Sequence, residues 1–479
     1  NRTPGGVTTA SYTAAGMPST VTAPSGVTAS YGYDLLDRMT SLAWQGAAGA
    51  VGSYSYQLGP AGHRLSVTEG SGRKVAYAYD AAHRLTGETV STDLVAWHNG
   101  AVTYALDAAG NRTQRTSTLA PIPSMSYTYD ANDRLAGDGY DANGNTTSLD
   151  GATLAYDHAN RLVSMNGGAV TLIYDGDGSL VGKTVGGVTT RYLVDELNPS
   201  GYSQILEEVA GGAVEAVYVH GTMPVSESLL AGGTWTTRYF GYDGQGNVTF
   251  LTDGTGSVTD TYTYDSYGNL VDATGSTPNA YLYGGQRWDE DLGLYQLRAR
   301  YYEPNRGRFL TRDPFEGFDT LPISRNKYLY ANADPVNLRD PSGRMAAVEG
   351  AWIDARMAMA LTAATVVCLG TGVCQRVVTG TVMAVGMVAS CVYYIAASAI
   401  SSVPVVPRVP YQHCRVRKKN KCEDEFERCV KSRLGKLRGG SFGVSRCGEC
   451  LNLCTTLGYW PPRLPAGGAC IAGADNNPS

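Results

Sequence analysis

Cysteine is missing from the first 345 of the 479 residues, and all ten lie beyond them. Nothing in that long stretch therefore rests on disulfides or thiolate ligands. Phenylalanine is scarce, with 7 against 32 tyrosines, and charged residues make up 17%. That charge is too low for a disordered polar tail in a chain that is 43% hydrophobic. The opening "NRTPGGVTTA" contains no basic region followed by an apolar stretch. No leader is visible there, the chain reads as a fragment, and its export route is not legible.

Glycine is abundant, at 59 residues. With tyrosine as the main aromatic, this points to a turn-rich β protein whose sheets are wet on both faces. The net charge of −5 is unevenly spread: residues 346–479 carry 15 basic and 8 acidic side chains, and residues 1–345 carry 23 and 35. The two parts attract each other at low salt.

Repeats organise the acidic part. "YGYDLLDRMTSL" from Tyr31, "YAYDAAHRLTGE" from Tyr77, "YTYDANDRLAGD" from Tyr127 and "LAYDHANRLVSM" from Leu154 share Tyr-Asp, three variable residues, Arg and an apolar residue. A second form, "YDANGNTTSL" from Tyr140, "YDGDGSLVGK" from Tyr174, "YDGQGNVTFL" from Tyr242 and "YDSYGNLVDA" from Tyr264, centres on glycine. Alternating residues, a break at Asn, Asp or Gly, and renewed alternation predict β-hairpins whose turns need positive φ. Asp and Arg flanking a turn pair across it, an exposed contact worth about 0–1 kcal/mol that sets register more than stability.

These units resemble the YD repeats of the Rhs and wall-associated protein superfamily, found also in teneurins and in Tc toxin C subunits. "RYLVDELNPSGYSQILEE" from Arg191, "YLYGGQRWDEDLGLYQLRARYYEPNRGRFLTRDP" from Tyr281 and "NKYLYANADPVNLRDPSG" from Asn326 look like the Rhs-associated core. The resemblance implies a mainly β fold: a spiralling YD-repeat hairpin shell over 1–280, closing as a hollow shell, and a core over 281–345. It also implies that the core ends in a single-turnover aspartic protease cutting just past a DPxG motif. Matched by motif, the catalytic residues are Asp313, Asp340 and Arg300, and the cleavage site is Gly343, Arg344 and Met345, with the cut between the last two.

Such chemistry needs two carboxylates close enough to share a proton, so that one activates water while the other polarises the carbonyl. Which aspartate plays which part is open. Taken alone, both Asp-Pro pairs also read as turn starters. This sequence departs from the family pattern at "DPFEG", which has an extra residue before Gly317, and at Arg344, where relatives carry an apolar residue.

Beyond the cut, Met357 to Gln375 and Val377 to Pro407 are uncharged runs of 19 and 31 residues separated by Arg376. Residues 346–408 therefore read as a membrane-inserting hairpin with Arg376 at its turn, or as a pair of buried core helices. Residues 409–479 read as a basic, α-helical, cysteine-rich module. Cys422 and Cys429, and Cys447, Cys450 and Cys454, each share a helical face, and Cys414 and Cys470 close the ends. Disulfides are the preferred reading, with connectivity open; the alternative is zinc at Cys447 and Cys450, where His413 is the region's only histidine. "RVRKKNK" suits anionic headgroups or nucleic acid, or is a solvated face; no aromatic interleaving makes it a clear nucleic-acid site.

The resulting expectation is a polymorphic toxin, secreted or delivered to target cells, whose shell encapsulates an effector freed by self-cleavage. No cofactor or metal is expected. The resemblance implies a secretion apparatus and a cognate immunity protein as partners, and the apolar runs suggest a target membrane. Two alternatives stay open: a surface or adhesion protein anchored by those runs, and a soluble nuclease or transferase tip.

Overall fold

A computed structural model describes residues 7–198, 200–317, 322–344, 347–348, 366–369 and 373–376. The chain divides into two units, the first holding Asn1–Ala364 and the second including Thr365–Val378. In the first unit, eleven strands from Thr9–Tyr12 to Met125–Ser126 form one antiparallel sheet. Fourteen from Gly139–Tyr140 to Leu270–Thr274 form a second, and each strand pairs with the next in sequence. Four short strands from Arg287–Asp289 to Arg308–Phe309 make a third. Among the described residues neither large sheet closes on itself, in contrast to the hollow shell implied above; the first strand, Thr9–Tyr12, is an exposed edge.

The repeat explains the hairpins atom by atom. In the turn after Tyr33, the backbone N–H groups of Leu36 and Arg38 donate to Asp34 Oδ1 at 2.9 and 3.0 Å, and Arg38 Nε donates to Oδ2 at 2.7 Å. Asp37 adopts φ +57°, the left-handed geometry that a tight turn requires. The same bonds recur at Asp80, Asp130 and Asp157. Glycine-form turns replace the arginine with Asn145, Asn247 or Asn269, whose amides close on Asp141, Asp243 and Asp265.

The arginine also does something spacing did not reveal: its other arm reaches the following turn. Arg84 Nη1 donates to the Asp107 carbonyl at 2.7 Å and Arg161 Nη1 to that of Asp175 at 3.1 Å. The Asp–Arg pair is thus a partly buried strut between hairpins and not merely an exposed register mark. The tyrosine works in the opposite direction. Tyr79 donates to the Arg64 carbonyl at 2.7 Å, Tyr129 to Arg112 at 2.9 Å and Tyr264 to Val248 at 2.9 Å, each one hairpin back. A register shift falls at this tyrosine in hairpin after hairpin, including Gly32/Tyr33, Ala78/Tyr79, Ala155/Tyr156 and Thr263/Tyr264. A bulge there turns the ring out of the ladder and increases local twist.

These turn tyrosines are half-buried, and others such as Tyr104, Tyr267 and Tyr302 are fully buried, contrary to the sheet wet on both faces that composition suggested. The two large sheets meet where the Trp44 indole donates to the Tyr242 carbonyl at 2.7 Å and stands edge-on to Phe250 at 5.5 Å. A second core gathers the later strands around Tyr295, Tyr302, Phe309 and Tyr330.

Corrections fall on the C-terminal part. Inside the first apolar run, read as helical, Val366–Leu369 pairs antiparallel with Val373–Arg376, and Arg376 lies opposite Val366 in a strand instead of at a helical turn. A Val- and Thr-containing run suits a strand as well as a helix, and hydropathy alone does not separate them. Among the described residues no helix is long and apolar enough to cross a membrane. The expected cysteine module at 409–479, with Cys414, Cys422, Cys429, Cys447, Cys450, Cys454 and Cys470, lies outside the described residues, as does Met345.

Candidate self-cleavage site

The site begins with a hairpin in "LRARYYEP". Leu297 pairs with Arg300, leaving Arg298 and Ala299 as a two-residue turn, with Arg298 at φ +55°. This turn sends the Arg300 side chain into the protein, where 4% of the residue stays exposed and its guanidinium lies 3.7 Å over the Phe309 ring.

Arg300 collects every described member of the predicted set except Arg344. Its Nη2 meets Asp313 Oδ2 at 2.7 Å and Asp340 Oδ2 at 3.3 Å, which caps the separation of the two carboxylate oxygens at the sum of those distances. Its Nε donates to the Gly343 carbonyl, and its Nη1 to that of Lys327 at 3.3 Å. Asp340 then reaches Arg344, whose backbone N–H donates to Oδ1 at 3.0 Å, with the Ser342 hydroxyl at 3.1 Å. The Arg344 residue itself is exposed.

Asp313 is anchored from the other side. Its N–H donates to the Lys327 carbonyl at 2.7 Å, and its Oδ1 accepts from the Phe315 N–H at 2.8 Å. Burial pushes the Asp313 carboxyl above the usual range, with Arg300 opposing. Burial likewise lowers Arg300, and the two aspartates oppose it. Two carboxylates around one guanidinium leave a net negative charge in a buried place, a setting that favours one held proton.

The segment Asp340–Arg344 repeats the hairpin-turn chemistry. The aspartate accepts from the N–H four residues on, Gly343 N–H donates to the Asp340 carbonyl at 3.3 Å, and Gly343 sits at φ +68°. In the hairpins Oδ2 is closed by the turn's own arginine; here Arg300 of another strand takes it. The turn-starter reading and the catalytic reading therefore describe the same residues. Sequence reasoning missed Phe309, the Lys327 carbonyl and Arg298; all three lie within the quoted motifs, and Arg298 stands two positions before Arg300.

The family models agree with this architecture. Teneurin YD-shell matches residues 140–336, and RHS Repeat matches 60–95. The chain carries an Rhs/YD-repeat shell. Among relatives, tRNA nuclease WapA of Bacillus subtilis (strain 168) is 32% identical over 259 residues, half of this chain and 11% of that protein. Salivary gland surface protein 1 of Aedes aegypti is 31% identical over 187 residues, 36% of this chain and 5% of that protein. The YD-shell chain thus spans about a tenth or less of these relatives' lengths. Among solved structures, the TcdB2-TccC3-Cdc42 complex aligns with TM-score 0.58 at 20% identity, over 70% of this chain and 19% of that one. A Photorhabdus luminescens Tc holotoxin pore containing TccC3 gives 0.57 at 17%, over 71% and 19%. At such identities the likeness speaks to the fold of the YD-shell.

Proposed function

We propose that this YD-shell chain belongs to a toxin that severs itself once, between Arg344 and Met345, and so separates the residues beyond from the shell. The observation that carries the proposal is Arg300 bound at once to Asp313, Asp340 and the Gly343 carbonyl. In the proposed step the ionised carboxyl takes a proton from water, and the oxygen attacks the Arg344 carbonyl carbon. The protonated carboxyl gives its proton to the carbonyl oxygen. Collapse of the tetrahedral intermediate breaks the C–N bond, and the Met345 amine leaves with a proton. Asp313, raised by burial, is the natural holder of the shared proton. Arg300 keeps both carboxyls and the adjoining peptide in place.

Once cut, container and contents are separate chains. Delivery out of the producing cell, with a secretion apparatus and an immunity protein, belongs to this reading. For the released part, two observations favour an enzymatic tip over membrane insertion. Relatives are named tRNA nucleases, and the described part of the first apolar run is a strand pair. Mass spectrometry of the whole chain beside Asp313→Asn and Asp340→Asn tests the cut. Two fragments are expected from the parent and one intact mass from each variant, and an intact parent sinks the proposal. Expression of residues 345–479 in bacteria, followed by growth, membrane potential and tRNA integrity, separates the tips: RNA loss at full potential supports an enzyme, rapid depolarisation an inserting segment, and unharmed cells a surface role.

A further inference from the structure

The turn Arg298–Ala299 is placed against the segment that precedes the cut, and the correspondence is residue by residue. Arg298 Nη1 donates to the Pro341 carbonyl, the Ala299 N–H to that of Ser342 at 3.2 Å, and Arg300 Nε to that of Gly343. Three consecutive donors take three consecutive acceptors in the same order. A one-residue slip would break all three contacts together.

Arg298 is itself held by both neighbouring parts of the fold. Its Nε donates to the Ser203 carbonyl at 3.2 Å and its Nη1 to Gln286 Oε1 at 3.0 Å, with the guanidinium 4.7 Å over the Tyr202 ring. Tyr202 and Ser203 precede a strand of the second large sheet, and Gln286 precedes the first strand of the small one. The residue keeps a left-handed φ that a side chain ordinarily avoids. As at Asp37, the tight turn requires that geometry, and here it also aims the Arg298 side chain at Pro341. On the opposite side, a Cβ at Gly343 would stand 2.2 Å from the Leu297 carbonyl oxygen and 2.9 Å from Arg300 N, so the fit admits glycine alone.

We propose that Arg298 is a positioning residue for self-cleavage, the first element of an Arg298–Ala299–Arg300 clamp that sets the register of Pro341–Gly343 through their carbonyl oxygens. The inference rests on the self-cleavage reading for its consequence, though not for its geometry. Because the clamp reads main chain, it fixes which bond reaches the carboxyls without demanding particular side chains at 341 and 342. Misplacement of about 1 Å costs a reaction on the order of a hundredfold.

The test uses the full chain. Arg298→Ala is expected to slow the cut at least tenfold, Arg298→Lys to recover part of the rate by restoring one cationic donor, and millimolar methylguanidinium to recover part of it in the Ala variant. A parental rate in Arg298→Ala, or slowing that neither Lys nor methylguanidinium relieves, overturns the positioning role. Hydrogen exchange in the uncut Asp313→Asn background separates this proposal from the reading beneath it. Adding Arg298→Ala should speed exchange of the Ala299 and Arg344 amides at least tenfold, and unchanged exchange refutes the clamp. An uncut parent with that exchange change removes the cleavage reading and leaves the clamp standing.

Discussion

Glu227 offers the most quantitative check on how this protein is held together. It lies in the strand Pro224–Ala231 with 0% exposure, opposite Tyr218 on one side and Arg238 on the other. Among the described residues neither of its carboxylate oxygens has a hydrogen-bond partner. Burial pushes its pKa from 4.5 up to about 8, Asp260 and Glu208 add to the rise, and Arg238 and Arg287 oppose it. A folded pKa above the unfolded one means that the carboxyl's contribution is intact below pH 4.5 and is lost as pH climbs through 8. At about 1.4 kcal/mol per unit, the penalty is under about 1 kcal/mol at pH 5, about 3 at pH 7 and about 5 at pH 9.

Glu227→Gln removes the titration. It leaves an unmatched buried amide whose cost, roughly 1–3 kcal/mol, is the same at every pH. Urea unfolding of parent and variant, both carrying Asp340→Asn so that the chain stays whole, should show the variant gaining about 4 kcal/mol on the parent between pH 5 and pH 9. A gap that stays constant or moves the other way refutes the assignment of Glu227 as a buried, uncompensated acid.

Three further outcomes follow from the geometry. Gly343→Ala drives a methyl into the Leu297 carbonyl and should cut self-cleavage on the order of a hundredfold, read by fragment mass against time. The cut should be faster at pH 5 than at pH 8, because the raised Asp313 keeps its proton above the usual carboxylate range and loses it as pH rises; a flat or alkaline-favoured profile opposes a held proton on Asp313. Arg84→Ala removes both the closure on Asp80 and the reach to the Asp107 carbonyl, with an expected loss of about 1–3 kcal/mol in urea unfolding, whereas a loss near zero would return the pair to an exposed register mark.

Much of the fold was open to reading because its governing contacts are short in sequence. Tyr33-Asp34-Leu35-Leu36-Asp37-Arg38 contains every atom of its turn, so the spacing of Asp and Arg predicted a hairpin that the structure has. The same pattern misled about tyrosine. A ring that is half polar reads as a surface residue, yet Tyr79 and Tyr264 find carbonyls one hairpin away and end half-buried. The apolar run around Val366 was misread because length and hydropathy fit a helix and a strand alike.

The candidate site divides along the same line. Sequence alone determined that Asp340 opens a turn; the structure adds the left-handed Gly343 and the Arg344 bond back to the aspartate, which likewise depend only on atoms within five residues. The sequence also supplied Arg300 and Asp313, though only as residues in a matched motif. That one guanidinium joins both carboxyls, over Phe309 and against the Gly343 carbonyl, was decided by the tertiary structure. The reason is physical: a turn needs only its own backbone, whereas a buried charge needs partners that packing must carry in from separate strands, and nothing local in either segment specifies where the other will arrive.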